Sequence, residues 1–164
     1  MPSHTFNVLF LCTGNSARSI MAESILNLQG LGRFQAYSAG SQPAGQVHPM
    51  ALDLLQRNHF PVESLRSKNW DEFAAADAPK MDFVLTVCDN AKAELCPVWP
   101  GQPISAHWGV PDPVAVEGDE ITRRKAFSDA FLVLNRRISL LANLSFDKLS
   151  RLSLQTELDR IGQA

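Results

Sequence analysis

Phe6-Asn7-Val8-Leu9-Phe10-Leu11-Cys12-Thr13-Gly14-Asn15-Ser16-Ala17-Arg18-Ser19 is the stretch whose reading decides the fold. Its first half is nearly continuous in apolar residues, as expected of a strand in a parallel sheet covered on both faces. Its second half is a turn-rich polar loop. Beyond it, Ile20, Met21, Ser24, Ile25 and Leu28 recur at helical spacing and Gly30 supplies a stop, so residues 19–28 read as a helix. Strand, loop and helix in that order open a βαβ unit.

The rest of the chain continues the alternation. Residues 34–39 form a short strand ended by Gly40, and Pro49 suits the first residue of a helix reaching about Asn58. A short helix is expected within 67–76, around Trp70 and Phe73. Residues 81–88 are the clearest central strand after the first. Residues 89–103 read as a short helix and a Pro-rich loop, 104–108 as a fourth strand and 109–118 as a surface loop. Between 119 and 143, Ile121, Phe127, Ala130, Phe131, Leu134, Ile138 and Leu141 fit one helical face, and 146–161 is also helix-like. The fold class is therefore α/β: a flavodoxin-like three-layer sandwich with a four-stranded parallel sheet, plus an extra C-terminal helix. One domain is expected over residues 1–143, and 144–164 form a helical extension that either covers it or makes a dimer contact.

Composition limits the function. The chain has 164 residues, 15 Lys+Arg against 17 Asp+Glu, and a formal net charge of -2. Such a balance supplies no field for holding nucleic acid or an anionic membrane. No stretch reaches ~18 apolar residues, and the apolar run 6–12 has no basic flank, so neither a span nor a signal peptide is expected. An odd count of 3 cysteines argues against a secreted disulfide framework and for a cytoplasmic, reducing setting in which thiols stay reactive.

The loop carries the chemistry. Ligands of open α/β sheets bind at the carboxyl ends of the strands. There, the successive amides of Thr13, Gly14, Asn15, Ser16, Ala17 and Arg18 can curl around a tetrahedral oxyanion, and a helix N-terminus adds partial positive charge. The same field favours a Cys12 thiolate, the nucleophilic form. Arg18 offers a planar fork for two anion oxygens, and Ser19 can donate to the sulfur. A lone cysteine at a strand end is ordinarily packing, but a polar loop of this composition has no packing purpose. Neither a G-x-x-x-x-G-K-[ST] nor a G-x-G-x-x-G phosphate loop is present. Zinc is a poor rival, because Cys88 and Cys96 are too far apart in sequence and His107 lacks a partner.

Cys12…Arg18-Ser19, the following Met21-Ala22-Glu23 and the late Asp112-Pro113 resemble the low-molecular-weight protein tyrosine phosphatase superfamily. Cys12-Thr-Gly-Asn-Ser, Tyr37-Ser-Ala-Gly40, Cys88, Cys96-Pro97 and His107-Trp-Gly109 resemble, within it, the thioredoxin-coupled arsenate reductases. The resemblance implies that Cys12 attacks arsenate, for which phosphate or sulfate would be analogues, and that Asp112 protonates the departing oxygen. It also implies that Cys88 displaces arsenite from Cys12, and that Cys96 carries the disulfide outward. Electrons would come from thioredoxin, with glutaredoxin or glutathione left open, and no cofactor is bound. Ala17 stands where many relatives carry a further Cys, and the Cys88–Cys96 spacing is one residue longer than in the best-known relatives. Some relatives bind potassium with a carboxylate near Lys68; a lysine there supplies the charge itself, so no metal is expected. Two rival readings remain at this point: a phosphatase hydrolysing phosphate monoesters, and a non-catalytic oxyanion-binding or thiol-sensing module.

Overall fold

A computed structural model describes residues 5–87 and 103–164. Cys88, Cys96, Trp99 and the helix expected to follow the third strand lie outside the described residues.

The elements are β1 (Phe6–Cys12), α1 (Arg18–Gln29), β2 (Phe34–Gly40), α2 (Pro49–Arg57), β3 (Phe83–Thr86), β4 (Ile104–His107), α3 (Glu120–Ala142) and α4 (Arg151–Ile161). Short 3-10 turns occupy Trp70–Phe73, Pro113–Ala115 and Phe146–Lys148. All strand pairings are parallel and the order is β2-β1-β3-β4, which makes β1 and β3 central and β4 an edge.

The uninterrupted apolar run of β1 is explained by burial on both sides. Val8, Phe10 and Cys12 join the larger core with Ile20, Met21 and Ile25 of α1 and Phe127, Leu134 and Ile138 of α3. Leu9 and Leu11 point the other way, into a smaller cluster with Ala39, Trp70, Phe73, Met81 and Val84. Cys12 thus sits on the α1 face at the carboxyl end of the most buried strand. Gly40 pairs beside it in register, and a Cβ there would lie 2.4 Å from the Thr13 carbonyl oxygen. Only glycine lets β2 approach the loop so closely.

Two expectations need correction. Ile121 was placed on the buried face of the long helix but is 80% exposed, because the packed stripe of α3 begins at Phe127. Apolar spacing reveals a stripe without showing where its neighbour starts. The helix-like segment 146–161 is broken: after the turn at Phe146–Lys148, the Ser150 side chain accepts the Ser153 N–H and starts α4 afresh. The extension covers the domain, with Leu158 and Ile161 buried and Phe146 stacked on Phe6, Phe34 and Phe83 at centroid distances of 4.6, 5.6 and 5.5 Å. Leu152 of the same segment is 77% exposed.

Candidate active site

The loop between β1 and α1 is held from within. Cys12 is 3% exposed, and its Sγ lies 2.9 Å from Ser19 Oγ and accepts the Asn15 N–H at 3.2 Å. Asn15 has φ of 45°, in the left-handed region that asparagine tolerates better than most residues. That turn folds the chain back over the sulfur. Its fully buried side chain donates to Ser19 Oγ at 2.7 Å and accepts the Lys68 N–H at 2.9 Å. Gly14 and Ser16 carbonyls face outward from the cradle and accept the N–H groups of Ala44 at 2.9 Å and His48 at 2.8 Å. With its carbonyls tied away, the loop is left to present amides to an anion.

The start of α1 adds to this polarity. Its cap position is Ala17, and among the described residues no side chain caps it and no acidic residue occupies its first turn. The orphan N–H groups and the positive end of the helix dipole therefore act on the Cys12 loop with no acidic residue of the first turn to offset them.

Asp112 reaches the same place from the far edge of the sheet. Its carboxylate lies 3.5 Å from the Arg18 guanidinium, which also donates to the Val110 carbonyl at 2.9 Å. Asp112 additionally accepts the Val114 N–H at 3.0 Å, which shapes the turn containing Pro113. The structure thus brings Cys12, Thr13, Gly14, Asn15, Ser16, Ala17, Arg18, Ser19 and Asp112 to one end of the sheet.

Beneath the loop lies a buried polar string that sequence reasoning glimpsed only in part. Lys68 is 7% exposed; its ammonium donates to Ser38 Oγ at 3.3 Å and the Arg66 carbonyl at 2.9 Å, and lies 3.6 Å from the Glu23 carboxylate. Ser38 donates to Glu23 at 2.5 Å. Burial pushes the Glu23 carboxyl up and the Lys68 amine down, while their mutual attraction opposes both shifts. The ammonium lies among these oxygens. Among the described residues no group of three or more His, Cys, Asp or Glu could hold a metal ion.

Two contributors went unread in the sequence. One is the Val110 carbonyl, a backbone group that no residue type announces. The other is Arg137, whose position on the apolar stripe of α3 beside Leu134, Ile138 and Leu141 was the available signal. Tyr37 packs against Phe73, with tilted rings and centroids 5.4 Å apart.

A family model described as low molecular weight phosphotyrosine protein phosphatase matches residues 7–151. An arsenate reductase of Halalkalibacterium halodurans is 32% identical over 135 residues, covering 82% of this chain and 94% of the relative. One from Bacillus cereus is 37% identical over 117 residues, covering 71% and 83%. Among solved structures, an arsenate reductase in the phosphate binding state superposes with a TM-score of 0.66 at 25% identity, over 89% of this chain and all of that one. Agreement of this extent, in sequence and in backbone, makes the chain a member of the low molecular weight phosphotyrosine protein phosphatase family, with arsenate reductases among its relatives.

Proposed function

We propose that this protein reduces arsenate to arsenite with Cys12 as nucleophile. The observation that carries the reading is the buried Cys12 thiol inside a cradle of amides, with Arg18 and Asp112 paired at 3.5 Å beside it. Arsenate is a tetrahedral oxyanion, and the amides of residues 13–18 with the Arg18 fork suit its oxygens. The Cys12 thiolate attacks arsenic and forms a sulfur–arsenic bond, while Asp112 gives its proton to the departing oxygen, which leaves as water. Ser19 and Asn15 hold the sulfur in line. Lys68 supplies positive charge below the loop in place of a metal ion.

Reduction then needs thiols. Cys88 attacks the Cys12 sulfur, a disulfide forms, and the electron pair of the broken sulfur–arsenic bond leaves with arsenite. Cys96 next attacks Cys88 and frees Cys12, and a dithiol donor reduces the Cys88–Cys96 disulfide. These two roles rest on the sequence resemblance, as does thioredoxin as donor. A setting in which thiols stay reduced follows from the same chemistry. The relatives named arsenate reductase favour this reading over a phosphatase. So do the small Val114 and Ala115 after Asp112-Pro113, where phosphatases carry aromatic walls.

The experiment is a coupled assay. Purified protein with thioredoxin, thioredoxin reductase and NADPH consumes NADPH only on adding arsenate, and Cys88→Ser or Cys96→Ser abolishes sustained turnover. Efficient hydrolysis of an aryl phosphate with indifference to arsenate would assign the phosphatase instead.

A further inference from the structure

The family match ends at residue 151, where α4 begins, yet α4 is tied to the segment that delivers Asp112. It lies along the edge strand β4, and the Gln155 side chain donates to the Ser105 carbonyl at 2.7 Å. At the strand's end, fully buried Trp108 donates its indole N–H to the Leu158 carbonyl at 2.9 Å. Gly162 closes the contact: a Cβ there would lie 2.6 Å from the His107 carbonyl oxygen and 2.9 Å from the Trp108 ring.

Arg137 of α3 joins both partners. Its guanidinium donates to the carbonyls of Trp108 at 3.0 Å and Gly109 at 3.1 Å, and to the Ala164 oxygen at 3.2 and 3.3 Å. One buried fork thus holds the exit of β4 and the end of the extension together. Only Val110 and Pro111 separate Gly109 from Asp112. Val110 accepts from Arg18, and Pro111 and Pro113 restrict the backbone on either side of the acid. The other end of the extension is anchored across the sheet by Phe146 on Phe6, Phe34 and Phe83.

We propose that residues 144–164, acting through Arg137 and Trp108, form a brace that positions Asp112 and the Val110 carbonyl against Arg18. Arg137 is a positioning residue here, since it touches neither the thiol nor the anion cradle. The inference rests on the reading of Asp112 as the proton donor of the Cys12 reaction.

A double-mutant cycle on the full chain tests it, read as the rate at which arsenate consumes the Cys12 thiol in a single turnover. Arg137→Met lowers that rate about 10-fold, and Arg137→Lys, whose single ammonium cannot span all three carbonyl groups, restores only part of it. In the Asp112→Asn background, where the position of the acid no longer matters, Arg137→Met costs less than about 2-fold. Gly162→Ala, which presses on His107 and Trp108 from the other side, shows the same dependence on Asp112. Loss of the same factor in both backgrounds overturns the brace and leaves Arg137 a purely structural residue. An Arg137→Met protein with lowered thermal stability and an unchanged rate overturns it too. So does an Asp112→Asn protein with wild-type rates, which would also remove the acid. If wild-type protein ignores arsenate, the cycle is read with p-nitrophenyl phosphate hydrolysis, so that loss of the arsenate assignment and loss of the brace stay separate.

Discussion

The loop at residues 12–19 and the loop at 108–116 meet at the carboxyl end of the sheet, but they are secured differently. The first is fixed from within and beneath: the buried Asn15 side chain bonds to Ser19 and to the Lys68 N–H, and the Gly14 and Ser16 carbonyls are held by the N–H groups of Ala44 and His48. The second is fixed from its flanks, by backbone carbonyls that Arg18 and Arg137 grip from opposite sides. Asp112 itself stays partly exposed, with 41% of its side-chain surface open. The contrast suits the two proposed tasks. A cradle that recognises charge works best when preorganised and dry, whereas a proton donor has to reach a departing oxygen and exchange its proton with solvent.

Removing the atom that only the first loop supplies has the largest effect. Cys12→Ser lowers sustained arsenate-dependent turnover by at least about 10³-fold, since a neutral hydroxyl replaces the thiolate and the disulfide step is lost. Retained turnover in the coupled assay would break the assignment. Asp112→Asn comes next: the rate of thiol consumption falls about 10²-fold. Stability changes by less than about 0.5 kcal/mol in urea unfolding, because the residue is partly open and its turn-forming acceptor survives. A cooperative destabilisation instead would mean that the second loop is fixed as deeply as the first.

Asn15→Ala tests the first loop as structure. It leaves the Lys68 N–H without its acceptor, removes a donor to Ser19, and puts alanine at φ of 45°. Unfolding free energy should fall by about 2–3 kcal/mol, with about a 10-fold loss of rate. A change in rate alone would show that the buried polar string contributes little to folding.

The smallest effect concerns His48, which borders the first loop. Its N–H reaches the Ser16 carbonyl, its ring packs on Phe127 at 4.9 Å, and its Nδ1 accepts the Met50 N–H that begins α2. Burial, aided by Arg123, holds its folded pKa below the ordinary 6.5, although Asp112 pulls the other way. The unfolded chain therefore binds the proton more tightly, and stability declines as pH falls below 6.5. Protonation also abolishes the Nδ1 acceptor. His48→Asn keeps a cap, so unfolding at pH 7.5 shifts by less than about 0.5 kcal/mol while the acid slope between pH 6.5 and 5 flattens. An unchanged slope would remove His48 as its source; the Glu23 carboxyl, raised by burial, works against such a slope, since the folded chain binds that proton more tightly than the unfolded one.

Local chemistry explains what was legible. The run Phe6–Cys12 needed no partner to be read as a doubly covered strand, because burial on both faces removes the usual alternation. Pro49 marked the first residue of α2 through its fixed φ, and Asp119 caps α3 as its type suggests. Ile121 misled because periodicity carries no information about where a facing layer ends. Lys68 was singled out for its charge, but its partners Ser38 and Glu23 come from different segments, so the string beneath the loop had no contiguous signature.

By itself the sequence determined the α/β class, the position of Cys12 at a strand end and the polar loop that follows it. Each of these depends on residues within a few positions of one another, where sterics and hydrogen bonding act directly. Only the tertiary structure decided that Asp112 meets Arg18, that Gly40 makes room for Thr13, and that a helix beyond the family match is tied to the loop of Asp112. Those contacts join residues tens of positions apart, and sheet order and helix packing choose them.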